Sequence, residues 1–252
     1  MSIIWNNAEQ GTEEWLEARR GAITGSKAKV ARERKKNGER TDASLRYAMD
    51  LAREREGGTA PAVFQNAAMR TGTEQEPIAR MKYEARTGEL VDEVGFAHTE
   101  DCKFGLSLDG SIAPAGAIEI KTMVSSDTLF SALVDGDISE YRDQCLMAMW
   151  LLTLDYVDVV LWCPDLDLLR VIRVERDEDE IERFEADMLE FDRLVESYRA
   201  RLRAVRGYRS DPPDESPAPP AQAADHAPAA PTPAPAPTPV VAVEPGAIPE
   251  LF

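Results

Sequence analysis

The stretches Gly105–Gly110 (GLSLDG) and Ala117–Lys121 (AIEIK) alternate apolar and polar residues with a period of two. This period is typical of β-strands that bury one face, so the leucines and isoleucines of both stretches are predicted to point one way and the polar residues the other. A hairpin centred near Pro114 would place Asp109 opposite Glu119.

Two carboxylates that face each other across a strand pair repel, which favours a cation between them. Asp109 and Glu119, with the amine of Lys121 two residues further on, form the set that metal-assisted phosphodiester hydrolysis requires. The alternative is a solvated strand face, in which Asp109 and Gly110 are ordinary turn residues.

The 252-residue chain contains 43% hydrophobic residues, which is enough for a substantial core. Beyond about Ser210, Pro, Ala, Thr and Asp dominate and large apolar residues become scarce. We therefore predict a folded domain at residues 1–208, a disordered Pro/Ala-rich tail at residues 209–246 and a C-terminal docking peptide at residues 247–252. The alternative for the last segment is a hydrophobic end without a function.

The three cysteines, Cys102, Cys145 and Cys163, lack CxxC spacing, so no disulfide framework is expected and the chain is typical of a reduced, intracellular protein. The N-terminus lacks a basic segment followed by a long apolar one, and no run of about 18 apolar residues occurs. We therefore expect a cytoplasmic protein with no membrane partner.

The formal net charge of −17 argues at first sight against a nucleic-acid partner, because phosphate contacts need Lys and Arg. A local basic patch can nevertheless oppose the net charge. Basic residues are concentrated between Arg19 and Arg40, and acidic residues between Glu175 and Glu190. The alternative for such a charge run is a solvated helix face.

The predicted elements follow the order of an α/β domain. Helices are predicted at residues 43–56, 65–86 and 139–152 and from about residue 177 onward. Strands are predicted at residues 90–96, 105–112, 117–122, 156–162 and 168–174. Thr12 is a predicted N-cap, as is either Thr24 or Ser26.

Five motifs occur in order along the chain: QGTEEW at 10–15, RRGAITGS at 19–26, GTEQE at 72–76 with YE at 83–84, SLDG at 107–110 with EIK at 119–121, and YRDQ at 141–144 with MW at 149–150. In this order they resemble the PD-(D/E)xK nucleases and, more narrowly, the phage lambda exonuclease and YqaJ viral recombinase family, over about residues 9–200. The resemblance implies an α/β, restriction-endonuclease-like core with a mixed central sheet flanked by helices.

The resemblance also implies roles for individual residues. The implied metal ligands are Asp109, Glu119, the main-chain carbonyl of Ile120 and Glu76. The implied metal is Mg²⁺, for which Mn²⁺ is expected to substitute. Lys121 would orient the attacking water and stabilise charge on the phosphate, and Gln144 would reach the water or the scissile phosphate. The alternatives are an exposed acidic residue for Glu76 and an ordinary helix amide for Gln144.

Arg19 and Ser26 match positions that hold the 5′-phosphate in the family, and their neighbour Arg20 is included with them. A guanidinium can grip phosphate with two hydrogen bonds, and a serine near a helix start adds a hydroxyl. The alternatives are a surface ion pair for Arg19 and a helix cap for Ser26. Two residues depart from the pattern: Leu108 replaces the usual Pro before the catalytic Asp, and Pro77 directly follows Glu76, where it could shift the helix.

The implied activity is a Mg²⁺-dependent, 5′-to-3′ exonuclease acting on double-stranded DNA ends and producing 3′ single-stranded overhangs for phage-type recombination. The implied partners are a single-strand annealing protein, two further copies in a homotrimer, and a replication or recombination protein that docks the C-terminal peptide. The alternatives are an endonuclease of the same superfamily and a catalytically idle DNA-end-binding adaptor. A nuclease with an iron–sulfur cluster is disfavoured, because such clusters need four cysteine ligands.

Overall fold

The computed structural model describes residues 2–59 and 67–209. The predicted tail at residues 209–246 lies, except for the helical residue 209, outside the described residues, as do the predicted docking peptide at residues 247–252 and the predicted helix start at residue 65. Among the described helices, none combines the length and the apolar character needed to cross a membrane.

Seven α-helices and eight strands alternate along the described residues. The helices are α1 (Glu13–Ala18), α2 (Ala28–Arg32), α3 (Asp42–Arg55), α4 (Ala67–Thr87), the single turn α5 (Ser126–Thr128), α6 (Arg142–Leu152) and α7 (Glu178–Arg209). The strands are β1 (Ile3–Asn6), β2 (Ile23–Thr24), β3 (Phe96–Thr99), β4 (Phe104–Ser107), β5 (Gly110–Ile112), β6 (Gly116–Thr122), β7 (Tyr156–Cys163) and β8 (Leu168–Glu175). The predicted α/β class is confirmed.

The strands form two mixed four-stranded sheets, in the orders β1-β3-β4-β2 and β5-β6-β7-β8. In the second sheet, β5 and β6 are antiparallel and pair Gly110 with Ile118 and Ile112 with Gly116, so the hairpin is centred at residue 114 as predicted. One step beyond the Gly110 pair, the same register sets Asp109 opposite Glu119.

The predicted single strand at residues 105–112 is divided between the two sheets, because the chain crosses from β4 to β5 at Leu108 and Asp109. Leu106 and Leu108 pack in the main core, whereas Ile118 and Ile120 pack in a second apolar cluster. The prediction that all four side chains share one face is therefore wrong. Its physical reason is that β6 is buried on both faces, so alternation does not separate a wet side from a dry one.

Helices cover both faces of the second sheet. The main core contains the buried residues of α6 and the apolar stripe of α7 from Ile181 to Val195. On the opposite face, Ala79 and Tyr83 of α4 pack against Ile118 and Ile120 of β6. The functional strand β6 is thereby fixed between α4 and α6.

Some predicted boundaries are wrong. The predicted strand at residues 90–96 is reduced to one bridge between Asp92 and Ser111, and the neighbouring strand β3 begins only at Phe96. Thr12 caps α1 as predicted by accepting a hydrogen bond from the Trp15 amide, but the Thr24 side chain makes no cap bond. Alternation and capping signals therefore locate elements without fixing their ends.

The basic run between Arg19 and Arg40 and the acidic helix α7 contact each other. Arg32 binds Asp187 at 2.9 Å, and Glu190 accepts hydrogen bonds from Arg34 at 2.8 Å and Arg40 at 3.1 Å. These ion pairs between α7 and the segment at residues 32–40 form what we call the charge clamp. Much of the basic run thus serves intramolecular pairing.

A buried polar network fixes α4 to β7. The hydroxyl of Tyr83 donates a 2.7 Å hydrogen bond to Asp158, and the Arg173 guanidinium binds the same carboxylate with two bonds of 2.8 Å. Asp158 is only 2% exposed. Because Glu76 lies on the same helix as Tyr83, this network also sets the position of that carboxylate.

Replacing Asp158→Ala should lower the free energy of unfolding by about 2 kcal/mol, because the Tyr83 hydroxyl and the Arg173 guanidinium lose their acceptor. Urea denaturation at neutral pH, followed by tryptophan fluorescence, measures this change. The control Asp165→Ala, at an exposed position of the β7–β8 turn, should alter it by less than about 0.5 kcal/mol. Equal changes in the two variants would contradict the structural role of Asp158.

The charge clamp predicts a pH-dependent stability. Arg34 and Arg40 hold the pKa of Glu190 below its ordinary value of 4.5. The stabilisation is therefore complete above the pKa of the unfolded chain and lost as the pH falls through the folded-state pKa. Glu190→Gln should cost up to about 1 kcal/mol at pH 7 and almost nothing near about pH 3.

Urea midpoints of wild type and Glu190→Gln at these two pH values test the clamp. Glu182→Gln, at an exposed position of the same helix, serves as the control and should show no such pH-dependent difference. A Glu190→Gln effect of the same size at both pH values would exclude the ion pairs as its cause.

Candidate active site

One cavity of about 440 Å³ brings together all but one of the residues singled out from the sequence. Its lining includes Arg19, Ser26, Glu76, Asp109, Glu119, Ile120, Lys121 and Gln144. These residues come from the end of α1, the turn before α2, α4, the β4–β5 crossing, β6 and α6. Residues more than 100 positions apart in the sequence thus share one site.

The acidic part of the cavity contains Glu76, Asp109 and Glu119. Glu119 is 3% exposed on the central strand β6, and Asp109 accepts a 2.7 Å hydrogen bond from the main-chain amide of Ile120 through its Oδ2. This bond follows from the hairpin register, which sets Asp109 beside the end of the β5–β6 ladder. Glu76 approaches from α4 on the other side of the cavity.

Burial and mutual repulsion raise the pKa values of these carboxyl groups. Burial, with a smaller contribution from Asp109, raises the pKa of Glu76 to about 7. Burial also raises the pKa of Asp109, and burial together with the Asp109 charge raises the pKa of Glu119. Ionising all three groups together is therefore costly without a neighbouring positive charge.

Lys121 provides the nearest positive charge. Its Nζ lies 2.6 Å from Glu119 Oε1 and donates a 3.4 Å hydrogen bond to Gln144 Oε1. Burial alone would lower the pKa of Lys121, but Glu119 and Asp109 outweigh it and raise the pKa above its ordinary value. The side chain is thus held as an ammonium group that faces the cavity.

Arg80 supports the third carboxylate. Its guanidinium binds Glu76 at 2.8 Å and also pairs with Glu93. Helix α4 runs continuously through Pro77, and Glu76 still lines the cavity, so the departure at Pro77 does not remove this carboxylate from the site. The second departure, Leu108, is buried in the main core.

The chemistry of this donor set fits a hard divalent cation. Carboxylate oxygens are the ligands that Mg²⁺ and Mn²⁺ prefer. Burial and mutual repulsion raise the pKa values of Glu76 and Glu119, and a cation beside these groups would favour their ionised forms. Within residues 2–59 and 67–209, however, no three His, Cys, Asp or Glu side chains form a complete metal site. A cation there would need main-chain oxygen or water in addition, as Mg²⁺ commonly has.

Arg19 and Ser26 also line the cavity. The Arg19 guanidinium lies over the Trp15 ring, 4.0 Å from its centroid, and Ser26 is exposed in the turn before α2. Arg20 does not line the cavity; it forms the surface ion pair with Glu17 that was the alternative considered for Arg19. Of the two adjacent arginines, Arg19 therefore lines the cavity and Arg20 lies on the surface.

The sequence analysis did not single out Ser107 and Thr122, which also line the cavity. Their hydroxyl oxygens are buried and have no hydrogen-bond partner among the described residues. Buried hydroxyl groups are costly to leave unpaired, so these two are unusual features of the cavity lining. A signal was present for Ser107, because the strand period sets it on the same side as Asp109.

The chain is similar to a known protein family and to solved exonuclease structures. Residues 14–155 match the model of the YqaJ-like viral recombinase domain family. The fold is similar to the crystal structure of an alkaline exonuclease from Laribacter hongkongensis, with 30% identity, a TM-score of 0.69, and coverage of 79% of this chain and 100% of that one. The structure of that enzyme in complex with dAMP gives the same values.

A phage-related exonuclease from Haemophilus somnus shares the fold, with a TM-score of 0.57 and 14% identity over 73% of this chain and 96% of that one. Comparison with the sequences of curated proteins gives no significant match. The family match and the 30% identical exonuclease confirm the prediction of a nuclease. The chain belongs to the YqaJ-like viral recombinase domain family, whose match spans every site residue predicted from its sequence.

Proposed function

We propose that this recombination-associated exonuclease is metal-dependent and degrades one strand of duplex DNA from its 5′ end, leaving a 3′ single-stranded overhang. The observation that carries the proposal is the cavity itself. It combines three carboxylates, an ammonium group and an amide with a separate arginine and serine that suit a phosphate.

The proposed metal is Mg²⁺, with Mn²⁺ as a substitute. Asp109 and Glu119 would hold it together with the Ile120 carbonyl, and Glu76 would add a further acidic contact. A bound divalent cation would supply a water molecule of lowered pKa and would neutralise charge on the phosphate. The buried, mutually repelling carboxylates support this assignment.

The residues beside the carboxylates supply positioning and charge. The Lys121 ammonium can donate hydrogen bonds to a scissile phosphate and stabilise the negative charge that develops on its oxygens. The Gln144 side chain, which accepts a hydrogen bond from Lys121, keeps its own amide N–H groups for the attacking water or for a phosphate oxygen. Both side chains lie on elements fixed by the main core.

Polarity follows in this proposal from the position of Arg19, Ser26 and Ser107. A terminal 5′-phosphate bound by these groups would bring the next phosphodiester bond of the same strand toward the carboxylates. The enzyme would then release 5′-mononucleotides. The crystallisation of the Laribacter hongkongensis enzyme with dAMP supports a site of this chemistry.

We further propose action in the cytoplasm of a bacterial host, next to a single-strand annealing protein. A homotrimer and docking of the C-terminal peptide remain predictions from the sequence. An endonuclease and an idle adaptor are the competing functions, and the same assays separate them from an exonuclease.

Asp109→Ala and Glu119→Gln should each lower the digestion rate of linear duplex DNA about 10³-fold or more. Each variant removes an oxygen ligand of the proposed cation, and the charge that develops on the phosphate is then less well stabilised. Strand-specific labels and Mg²⁺ or EDTA in parallel measure the rate, and anisotropy in EDTA checks that the variants still bind DNA. DNA binding without cutting by both wild type and variants would support the adaptor. Cutting of closed circles would support the endonuclease.

Arg19→Gln should reduce the preference for a 5′-phosphorylated end over a 5′-hydroxyl end by about tenfold or more, because a charge-assisted contact to the phosphate is lost. The measurement is the ratio of kcat/KM for two duplexes that differ only in this group. Arg193→Gln, at an exposed position of α7, is the matched control. If Arg19→Gln keeps the wild-type ratio of the two kcat/KM values, Arg19 does not bind the 5′-phosphate.

A further inference from the structure

The guanidinium of Arg19 is held by aromatic rings. Its central carbon lies 4.0 Å from the centroid of the Trp15 ring and 5.7 Å from that of the Phe96 ring. No carboxylate of the described residues forms an ion pair with it, although Glu17 is close enough in sequence to pair with Arg20. Arg19 is therefore a partly buried cation whose charge is not neutralised.

Two other arginines that lie over rings, Arg32 and Arg40, differ from Arg19. Arg32 lies over Phe184 and Arg40 over Phe191, both at 5.2 Å, but each also binds a carboxylate of α7. Neither of these two arginines lines the cavity. The combination of ring contacts, a cavity position and the absence of an acidic partner distinguishes Arg19 among the three.

The local structure holds the Trp15 and Phe96 rings beside Arg19. Trp15 lies one helical turn before Arg19 on α1, whose start is fixed by the Thr12 cap. Phe96, at the start of β3, is 1% exposed and packs with Trp15 in a small apolar cluster. Gly105 on the neighbouring strand leaves room for it, since an added Cβ would lie 2.4 Å from Phe96 Cζ.

We propose that Trp15 and Phe96 are positioning residues that give the enzyme its specificity for a 5′-phosphate by presenting an unneutralised Arg19 to the cavity. This inference rests on the proposed function, in which Arg19 binds that phosphate. Ring faces attract a guanidinium through its plane and leave the N–H groups along its edge available for two parallel bonds to a phosphate.

A carboxylate in the place of the rings would compete with the phosphate. It would occupy the same N–H groups and cancel the charge, as Glu190 does for Arg34 in the charge clamp. Burial lowers the pKa of Arg19, so the cation has a desolvation cost that the rings offset in part. The rings therefore stabilise the cation without reducing its capacity to bind an anion.

The test compares the affinities of wild type, Trp15→Leu and Trp15→Phe for two duplexes that carry either a 5′-phosphate or a 5′-hydroxyl. Fluorescence anisotropy in EDTA measures the two Kd values without cleavage. Trp15→Leu should lower the preference for the phosphate about threefold to thirtyfold, the usual range for a cation–ring contact. Trp15→Phe keeps a ring face and should restore part of the preference.

Phe184→Leu is the matched control, because it also removes a buried ring beneath an arginine, but one outside the cavity. It should destabilise the fold and leave the ratio of the two Kd values unchanged. If Trp15→Leu does not fold, Phe96→Leu replaces it, with a smaller expected decrease because its ring lies farther from Arg19.

Arg19→Gln separates failure of this inference from failure of the proposed function. If Arg19→Gln lowers the ratio while Trp15→Leu and Phe96→Leu keep the wild-type ratio, the rings have no role in specificity and the inference is wrong. If Arg19→Gln also keeps the wild-type ratio, the proposed 5′-phosphate site fails, and the inference fails with it.

Discussion

The structure depends on the burial of like charges at the end of the β5–β6 hairpin. Glu119 lies on a central strand that is covered on both faces, and the hairpin register sets Asp109 opposite it. Burying two carboxylates side by side is costly, so the surrounding elements must supply compensation. They do so with the Lys121 ammonium, which pairs with Glu119, and with the Ile120 amide, which donates a hydrogen bond to Asp109. In the proposed function, a divalent cation would supply further compensation.

Local sequence signals predicted this pair because a hairpin register is a local property. The period of two and the turn near Pro114 were enough to set Asp109 against Glu119. The same signals could not show that the chain changes sheets at Leu108, since a crossing between sheets depends on packing against distant elements. Glu76 and Arg19 also line the cavity, but only the resemblance to the family had singled them out.

The sequence did not predict ion pairs between residues that lie far apart along the chain. A run of basic residues beside an acidic helix looked like either a nucleic-acid patch or a solvated face. In the structure, Arg32, Arg34 and Arg40 instead bind the carboxylates of α7, more than 140 positions away. Sequence spacing carries no information about such contacts, which arise only when the core brings α7 against α3. The basic run is therefore not, as a whole, evidence for a DNA-binding surface.

These two kinds of pairing explain why a chain with a net charge of −17 can act on DNA. Most of its partly buried cations are matched to carboxylates, which removes them from competition for phosphate. Arg19 is an exception, because aromatic rings contact it and no acidic side chain of residues 2–59 and 67–209 forms an ion pair with it. The cavity lining thus contains both carboxylates suited to a cation and an arginine suited to a phosphate. In the proposed function, binding of the terminal phosphate by Arg19 and of the next phosphodiester bond near the carboxylates would give digestion its direction.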